Sequence, residues 1–306
     1  MDDFRNVKIF ASCHNHSNYS DAAYTPEKLA EIAKGLGHGG IILTDHDTVS
    51  GTYFMNKAAR KLGMKSILGC EFSTYFEGRG VHLCGFDFNP ENANMRDLLA
   101  YGSSVQTSRS EVMFKWGLER GTLREGLTWQ DVRDDFPYND YICNNQIFVS
   151  YLKRGIYKPE EYDDFVKTNF SYKLGLEDKI YEVTGRSYRN VHTEDVIKII
   201  REAGGVPVVA HPTGLRNVAE RLVDLGVMGF ETRHSVFRPD KHENAEELYQ
   251  FFEQLCEEKN LYKMGGSDHE GDLGGLLEFG DAYYCPDYLT GVTEENFMKL
   301  YERRLG

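Results

Sequence analysis

Closely paired cysteines are missing from this sequence. Its 306 residues include six cysteines, scattered from Cys13 to Cys285 without a Cys-x-x-Cys pair. A chain of this length can bury enough surface to fold without covalent cross-links. We therefore expect free thiols and exclude the class of small disulfide-stabilised proteins.

Long apolar runs are also missing. No stretch approaches the roughly 18 uncharged apolar residues that a membrane-spanning helix needs, although apolar residues make up 41% of the chain and can form a sizeable core. The first residues, MDDFRNVKIF, lack the charged-then-apolar order of a signal peptide. We expect a soluble, cytoplasmic globular protein without a membrane partner.

Positively charged residues are too few to balance the acidic ones. The sequence has 35 Lys and Arg against 48 Asp and Glu, a formal net charge of -13. Nonspecific binding of a polyanion needs a lysine- and arginine-rich surface, so we expect no long nucleic acid as a partner. A small phosphorylated metabolite remains compatible with this charge if metal ions supply local positive charge.

The sequence does contain a regular alternation of strand-like and helix-like segments. It runs through the first ninety residues and resumes near residue 191. We count seven strand-like runs, which read VKIFAS, GIILTD, KSILGCE, VHLCGF, VPVVAHP, VMGFE and LYKMGGSD. This alternation is typical of a parallel sheet. Thr25 as N-cap and Pro26 as first helical residue are expected to open the first helix.

The middle of the chain breaks this alternation. Residues 91–190 contain helix-like segments rich in aromatic and charged residues, such as EVMFKWGLERG and NQIFVSYLKRG, and no convincing strand. We interpret this part as a helical insertion, or cap, in one loop of a barrel. Residues 1–90 and 191–306 would form the barrel itself.

Nearly every strand-like run ends in side chains that can bind a metal ion. In a closed parallel barrel the carboxyl ends of all strands meet at one face, so residues distant in sequence would converge there. His82 is the exception, because it lies inside its strand. The strand-end residues are His14 and His16, Asp45 and His46, Glu71, His211, Glu231 with His234, and Asp268 with His269.

The histidines are informative as a set. A lone buried histidine is more often a hydrogen-bonded core residue than a metal ligand. Here seven of the ten histidines lie in or beside strand ends, several next to a carboxylate, which favours a shared metal site. We interpret His38, His192 and His242 as solvated surface residues. Imidazole and carboxylate without thiolate suit Zn, Mn or Fe, and the sequence does not choose among them.

A family resemblance becomes specific at these motifs. The segment HNHSNYSD, from His14 to Asp21, resembles the His-x-His-(Thr/Ser)-x-x-Ser-Asp opening motif of the PHP (polymerase and histidinol phosphatase) family. The segments TDHD, GCE, VHLCGF, VVAHP and GSDHE resemble its later motifs in the same order. The resemblance covers residues 8–88 and 191–280, and most of residues 91–190 lie outside it.

The resemblance implies an α/β fold, a distorted seven-stranded (β/α)7 barrel with a helical insertion, and a trinuclear metal site. Two to three divalent transition metal ions, Mn, Fe or Zn, would be the cofactors. The implied first metal has the ligands His14, His16, Glu71 and Asp268; the second shares Glu71 and adds His82 and His211; the third has Asp21, His46 and His269.

The function that follows is a metal-dependent phosphoric monoester hydrolase. A metal-activated hydroxide would attack a small phosphomonoester, such as a nucleotide or a sugar phosphate. An amidohydrolase-type hydrolase of C–N bonds and a noncatalytic metal-binding module are the alternatives. Ligands for three metals favour phosphate over an amide, and a competent side chain at every ligand position argues against a degenerate module.

Three further residues receive catalytic or substrate roles. Asp45 is expected to orient the ligand next to it, with a cap on the following helix as the alternative. His234 resembles the family position that contacts phosphate or donates a proton to the leaving group. Arg233 could clamp a phosphate, and its alternative is an ion pair at the rim of the barrel.

The insertion is expected to select the substrate. Where nucleotide-cleaving relatives often carry arginine and histidine, this chain has NNQ, and we assign Asn144 and Gln146 to substrate binding. These amides can hydrogen-bond but cannot neutralise charge. The alternative is that NNQ only caps the helix that follows. Because the barrel motifs lie on both sides of the insertion, the metal ligands are expected to assemble without its side chains.

Overall fold

The fold was examined in a computed structural model, which describes residues 8–237, 244–268 and 290–303. Seven strands lie in these residues, in the same chain order as the strand-like runs of the sequence. Their bounds are β1, Ala11–Ser12; β2, Gly40–Ile41; β3, Gly69–Phe76; β4, Arg79–Phe86; β5, Val206–Val209; β6, Gly229–Glu231; and β7, Tyr262–Met264.

The strands form two sheets, and the expected (β/α)7 barrel is wrong. β1 and β2 make a parallel pair, and the other five strands form a sheet in the order β3-β4-β5-β6-β7. Neither sheet closes into a barrel within the described residues. The expectation of uniformly parallel strands also fails, because β4 runs antiparallel to both β3 and β5.

Within the part of the chain that the structure describes, the barrel does not close because isolated backbone bonds, and not ladders, link the β1–β2 pair to the five-stranded sheet. After β1, the backbone N–H of Asn15 donates to the Thr44 hydroxyl at 3.1 Å and that of Ser17 donates to the Asp45 carboxylate at 2.6 Å. Both N–H groups therefore bond to side chains and not to the backbone of a neighbouring strand. Isolated bonds, such as Cys13 N–H to the Gly265 carbonyl at 3.0 Å, link the two sheets without a continuous ladder.

The β3–β4 hairpin fixes which side chains share a face. Its register pairs Glu71 with Cys84 and Ser73 with His82. Because side chains alternate along a strand, Glu71 and His82 lie on one face of the hairpin and Phe72 on the other. Phe72 is fully buried in the main hydrophobic core.

Eleven α-helices lie in the described part of the chain. The first opens as the sequence predicts, with the Thr25 side chain accepting from the Lys28 N–H and Pro26 at the first helical position. The bounds are α1, Pro26–Gly35; α2, Thr52–Lys61; α3, Ala93–Glu119; α4, Trp129–Asp135; α5, Asn144–Lys153; α6, Tyr162–Asn169; α7, Glu177–Thr184; α8, Thr193–Glu202; α9, Ala219–Asp224; α10, Ala245–Glu258; and α11, Glu294–Tyr301.

Helices α3 to α7 lie within residues 91–190, which contain no strand. They share a hydrophobic cluster that includes Phe114, Phe148, Tyr151 and Phe165. The main core is a different cluster, in which residues of the five-stranded sheet pack on α8, α9 and α10. The division of the chain into a barrel domain and a cap subdomain remains a prediction.

No helix among the described residues is both long enough and apolar enough to span a membrane.

Candidate metal centre

Glu71 lies at the centre of a cluster of histidines. It is the third residue of β3 and is fully buried. Five histidines from four segments of the sequence point a ring nitrogen at its carboxylate. Oε2 lies 3.2 Å from His14 Nε2, 3.3 Å from His16 Nε2 and 3.2 Å from His46 Nδ1, while Oε1 lies 3.0 Å from both His82 Nδ1 and His211 Nε2.

Four side chains form the first ligand group. His14 Nε2 lies 3.1 Å from His16 Nε2 and 3.3 Å from Asp268 Oδ1, which is itself 3.0 Å from His16 Nε2. Glu71 Oε2 completes the group. A tetrahedral zinc site with bonds of about 2.1 Å has ligand atoms about 3.4 Å apart. The four donors therefore have nearly the spacing that a divalent ion requires.

A second group forms around the other oxygen of Glu71. His82 Nδ1 and His211 Nε2 lie 3.1 Å apart, and each is 3.0 Å from Glu71 Oε1. The three atoms make a nearly equilateral triangle. Glu71 is thus placed to supply one oxygen to each group.

The third group lies at Asp21. Its Oδ1 is 3.4 Å from His16 Nδ1, and its Oδ2 is 3.4 Å from His46 Nε2. The predicted third ligand, His269, lies outside the described residues. The described part of this group is therefore Asp21 with two imidazoles, and the other nitrogen of each ring faces Glu71 Oε2 of the first group.

The donor atoms fit divalent cations. His16 Nδ1, His46 Nδ1 and Glu71 Oε2 are buried and make no hydrogen bond with any described residue, which is costly unless another partner satisfies them. Burial disfavours ionised Glu71, but His14, His46 and His82 hold its pKa well below the usual range. Burial lowers the pKa of His46, which favours the neutral imidazole that binds metal. At His14, His16 and His211, burial is outweighed by nearby anionic groups, which raise the pKa values of these rings. Imidazole and carboxylate donors suit Zn, Mn or Fe.

Glu231, at the end of β6, has a role that the sequence analysis did not assign. It is fully buried, and its Oε1 lies 2.8 Å from His14 Nδ1, the nitrogen that faces away from the first ligand group. Its Oε2 accepts the backbone N–H of His211 at 2.7 Å. That bond holds His211 in a left-handed conformation, with φ of 30°. Glu231 therefore orients two ligands. In the sequence, only its position at a strand end, near His234, indicated that Glu231 could belong to the site.

His234 joins the cluster through Asp268. It is fully buried, and its Nε2 lies 3.4 Å from Asp268 Oδ2 and 3.7 Å from Glu231 Oε2. The Val236 N–H donates to His234 Nδ1 at 3.1 Å, so the neutral ring carries its proton on Nε2. That proton faces the cluster. The predicted catalytic role is compatible with this geometry and stays a prediction.

Asp45 organises the turn after His16. Its buried carboxylate accepts from the Ser17 N–H at 2.6 Å, the Ser17 hydroxyl at 2.7 Å and the Ser20 hydroxyl at 2.6 Å. It does not cap the next helix, because Gly51 is the N-cap residue of α2. Its bonds go to Ser17 and Ser20 and not to His46, so the expected orienting role stays a prediction.

The predicted substrate residues lie in two places. Arg233 is mostly buried and donates to the Tyr249 hydroxyl of α10 at 3.1 Å. Gln146 caps α5, where its Oε1 accepts the Cys143 N–H at 2.9 Å, and its Nε2 donates to the Asn18 carbonyl at 3.1 Å. Asn144 donates to the Tyr162 hydroxyl at 2.9 Å. The capping alternative is thus present at Gln146, and substrate contact by these three residues stays a prediction.

Comparisons with known proteins identify a family and several relatives. The family model described as PHP domain matches residues 12–199. A phosphoribosyl 1,2-cyclic phosphate 1,2-diphosphodiesterase of Eggerthella lenta is 27% identical over 87% of this chain and 96% of that protein. A 5'-3' exoribonuclease of Haemophilus influenzae is 35% identical over 97 residues, which span 32% of this chain and only 35% of that protein.

A solved structure extends the likeness to the whole fold. The crystal structure of a Bifidobacterium adolescentis protein, proposed in its description to be a metal-dependent phosphoesterase, superposes with a TM-score of 0.71. The two chains are 25% identical, and the match covers 96% of each.

Proposed function

The chain belongs to the PHP domain family and is a metal-dependent phosphoesterase; we propose that its substrate is a small phosphomonoester, such as a nucleotide or a sugar phosphate. The observation that carries the proposal is the position of Glu71, whose two oxygens face five histidines at 3.0–3.3 Å. A buried carboxylate surrounded in this way suits a bridge between metal ions more than a structural ion pair.

We further propose that the site holds two to three Mn, Fe or Zn ions. When bound, such ions lower the pKa of water and neutralise the oxygens of a phosphoryl group. The residues of this chain hold and orient that chemistry. His14, His16, Glu71 and Asp268 supply the first set of donors, and Glu231 fixes the ring of His14.

His234 is the proposed proton donor to the leaving group. Val236 holds its Nδ1 as an acceptor, which leaves the proton on Nε2. That nitrogen lies beside Asp268, a ligand of the first group, at 3.4 Å. A proton held there is close to any phosphoryl oxygen that enters the first ligand group.

Two considerations favour a small ester over a long nucleic acid. The formal charge of -13 repels a polyanion at low salt, whereas a small ester meets a smaller penalty. The Eggerthella lenta relative, by its name, is a diphosphodiesterase that acts on a phosphoribosyl cyclic phosphate, which is a small ester but not a monoester. The exoribonuclease relative makes RNA digestion the outcome that must be tested against this proposal.

The test is a substrate panel assayed with Mn, Fe and Zn in turn. It contains nucleotide and sugar monophosphates, cyclic phosphodiesters, amides, and single-stranded RNA and DNA. We expect phosphate release from small monoesters, loss of that activity in His14→Ala, and full activity in His192→Ala, which replaces an exposed histidine outside the cluster. Processive digestion of RNA or DNA that His14→Ala abolishes would overturn the monoester proposal. Amide hydrolysis alone, or no metal-dependent activity, would favour the other candidate functions.

A further inference from the structure

We infer that residues 91–190 hold the third ligand group in place, because Asn139, Asn145 and Gln146 position the turn that carries Asp21. The inference rests on the proposed metal centre. It also differs from the expectation that the ligands assemble without side chains of the insertion. Three observations support it.

The first observation is the position of Asp21 on a short turn. Residues 18–21 form this turn, and its backbone bonds include Ser20 N–H to the Ser17 carbonyl at 3.0 Å. The Asp21 carboxylate reaches from its end to His16 and His46, at 3.4 Å each. A shift of the turn would therefore move Asp21 away from both imidazoles.

The second observation is that side chains of the insertion bond to the outward carbonyls of this turn. Asn139 Nδ2 donates to the Asn18 carbonyl at 2.7 Å, and Gln146 Nε2 donates to the same carbonyl at 3.1 Å. Gln146 Nε2 also donates to the Ser20 carbonyl, and Asn145 Nδ2 donates to the carbonyl of Asp21 itself. All three amide side chains are buried. Loss of these amides would remove donors from the carbonyls of Asn18, Ser20 and Asp21, of which Ser20 is buried and the other two are partly buried.

The third observation is that the opposite side of the turn is already fixed. Asp45 accepts three hydrogen bonds from Ser17 and Ser20. The turn is thus held between the Asp45 carboxylate on one side and the start of α5 on the other. Loss of the α5 side would leave the end of the turn, where Asp21 lies, with less restraint than its beginning.

This geometry also explains why amides occupy the NNQ segment. Gln146 must accept the Cys143 N–H through Oε1 and donate to two carbonyls through Nε2. A side-chain amide has both an acceptor and donors, whereas arginine has only donors. The amides therefore suit a position between a helix start and a backbone turn.

The test removes the donors and keeps the cap. Gln146→Glu retains an acceptor for the Cys143 N–H, since glutamate is a good capping-box residue, but it cannot donate to Asn18 and Ser20. Asn145→Ala removes the bond to the Asp21 carbonyl. The matched control is Thr128→Ala, which breaks the capping box of α4 in the same helical segment and makes no contact with the turn in the described structure.

The readout is the number of bound metal ions, measured by elemental analysis after dialysis against increasing chelator, with thermal melts to verify folding. We expect Gln146→Glu and Asn145→Ala to lose one ion at a chelator concentration about 10- to 100-fold lower than the wild type. This is the usual loss of metal affinity when a residue that orients a ligand is replaced. Thr128→Ala should follow the wild-type curve. If Gln146→Glu does not fold, Asn139→Ala tests the same turn from a different residue.

Three other outcomes would overturn either this inference or the proposed metal centre. Folded variants with wild-type metal retention would overturn the inference and leave the phosphoesterase proposal intact. Equal metal loss in Thr128→Ala would show that general loosening of the helices is the cause, which also overturns it. A wild-type protein that binds no metal would instead overturn the proposed metal centre.

Discussion

His14 Nδ1 lies 2.8 Å from Glu231 Oε1, and both side chains are fully buried. The other nitrogen of His14 faces the first ligand group. The carboxylate therefore fixes the plane of the ring and keeps Nε2 available as a ligand. This contact is the basis of the first prediction.

Glu231→Gln should weaken metal retention and activity by about 10- to 100-fold. Glutamine still fits the space, but it has no charge to raise the basicity of His14 and offers one acceptor instead of two. Chelator titration and kcat for the best ester measure the effect. Glu253→Gln is the control, because Glu253 contacts Lys263 outside the site. Wild-type metal retention in Glu231→Gln would contradict the orienting role.

Glu71→Gln should be the most damaging single change at a ligand. One carboxylate serves both the first and the second group, and an amide nitrogen would face one set of imidazoles without binding metal. We expect the protein to retain fewer metal ions than any variant with one histidine replaced. Elemental analysis tests this, with Glu161→Gln as the control, since Glu161 pairs with Arg124 away from the cluster. Equal metal occupancy in Glu71→Gln would exclude a bridge.

Asp45→Asn should destabilise the fold by about 1.5–3 kcal/mol, the usual worth of buried hydrogen bonds to a charged group. Asp45 accepts three such bonds, while the amide of asparagine would place a donor against a donor. Urea unfolding of the metal-free protein measures the change. Asp134→Asn, at an exposed position of α4, should alter stability by less than about 0.5 kcal/mol. A similar small effect at Asp45 would argue against its role in the turn.

His38 should make the protein sensitive to mild acid. Burial lowers the pKa of His38 from 6.5 to about 4. The unfolded chain then binds a proton below pH 6.5 that the folded chain does not bind until about pH 4. Stability therefore falls as the pH drops through this window, by about 2 kcal/mol at pH 5.

The variant His38→Gln should lack this acid-dependent loss of stability. Urea unfolding at pH 7 and pH 5, both with chelator present, compares it with the wild type and with His192→Gln at an exposed site. The His192→Gln protein should follow the wild type. If His38→Gln loses as much stability as the wild type between these pH values, burial of His38 is not the cause.

Much of the site could be predicted from the sequence because most of its donors follow strands, although Glu71, expected at a strand end, lies inside β3, and His82 lies inside β4. The structure brings His14, His16, Glu71 and Asp268 together as the motifs predict, and the division into three metal sites stays a prediction. The chain order of the seven strands was predicted correctly as well. The pairing of the strands was not predicted correctly, because strand direction and sheet closure depend on contacts between distant segments. Local periodicity does not record those contacts.

Other features were missed for similar reasons. His38 was interpreted as a surface residue, but only 8% of it is exposed. It follows the end of α1, a context that usually lies on the surface, and only tertiary packing buries it. The contacts of Asn145 with Asp21 join residues 124 positions apart. No pattern within either segment indicates such a bond.

The reversed direction of β4 limits where this gene can change in length. Glu71 and His82 share a face only because the hairpin register pairs Glu71 with Cys84 and Ser73 with His82. A one-residue insertion inside β3 or β4 would turn one of the two ligands away from the cluster, because side chains alternate along a strand. Extra residues between Glu77 and Gly78, at the tip, would leave the register intact. Natural or engineered insertions in this hairpin are therefore expected at its tip, which makes Glu77–Gly78 a suitable place for a peptide tag or a fluorescent label.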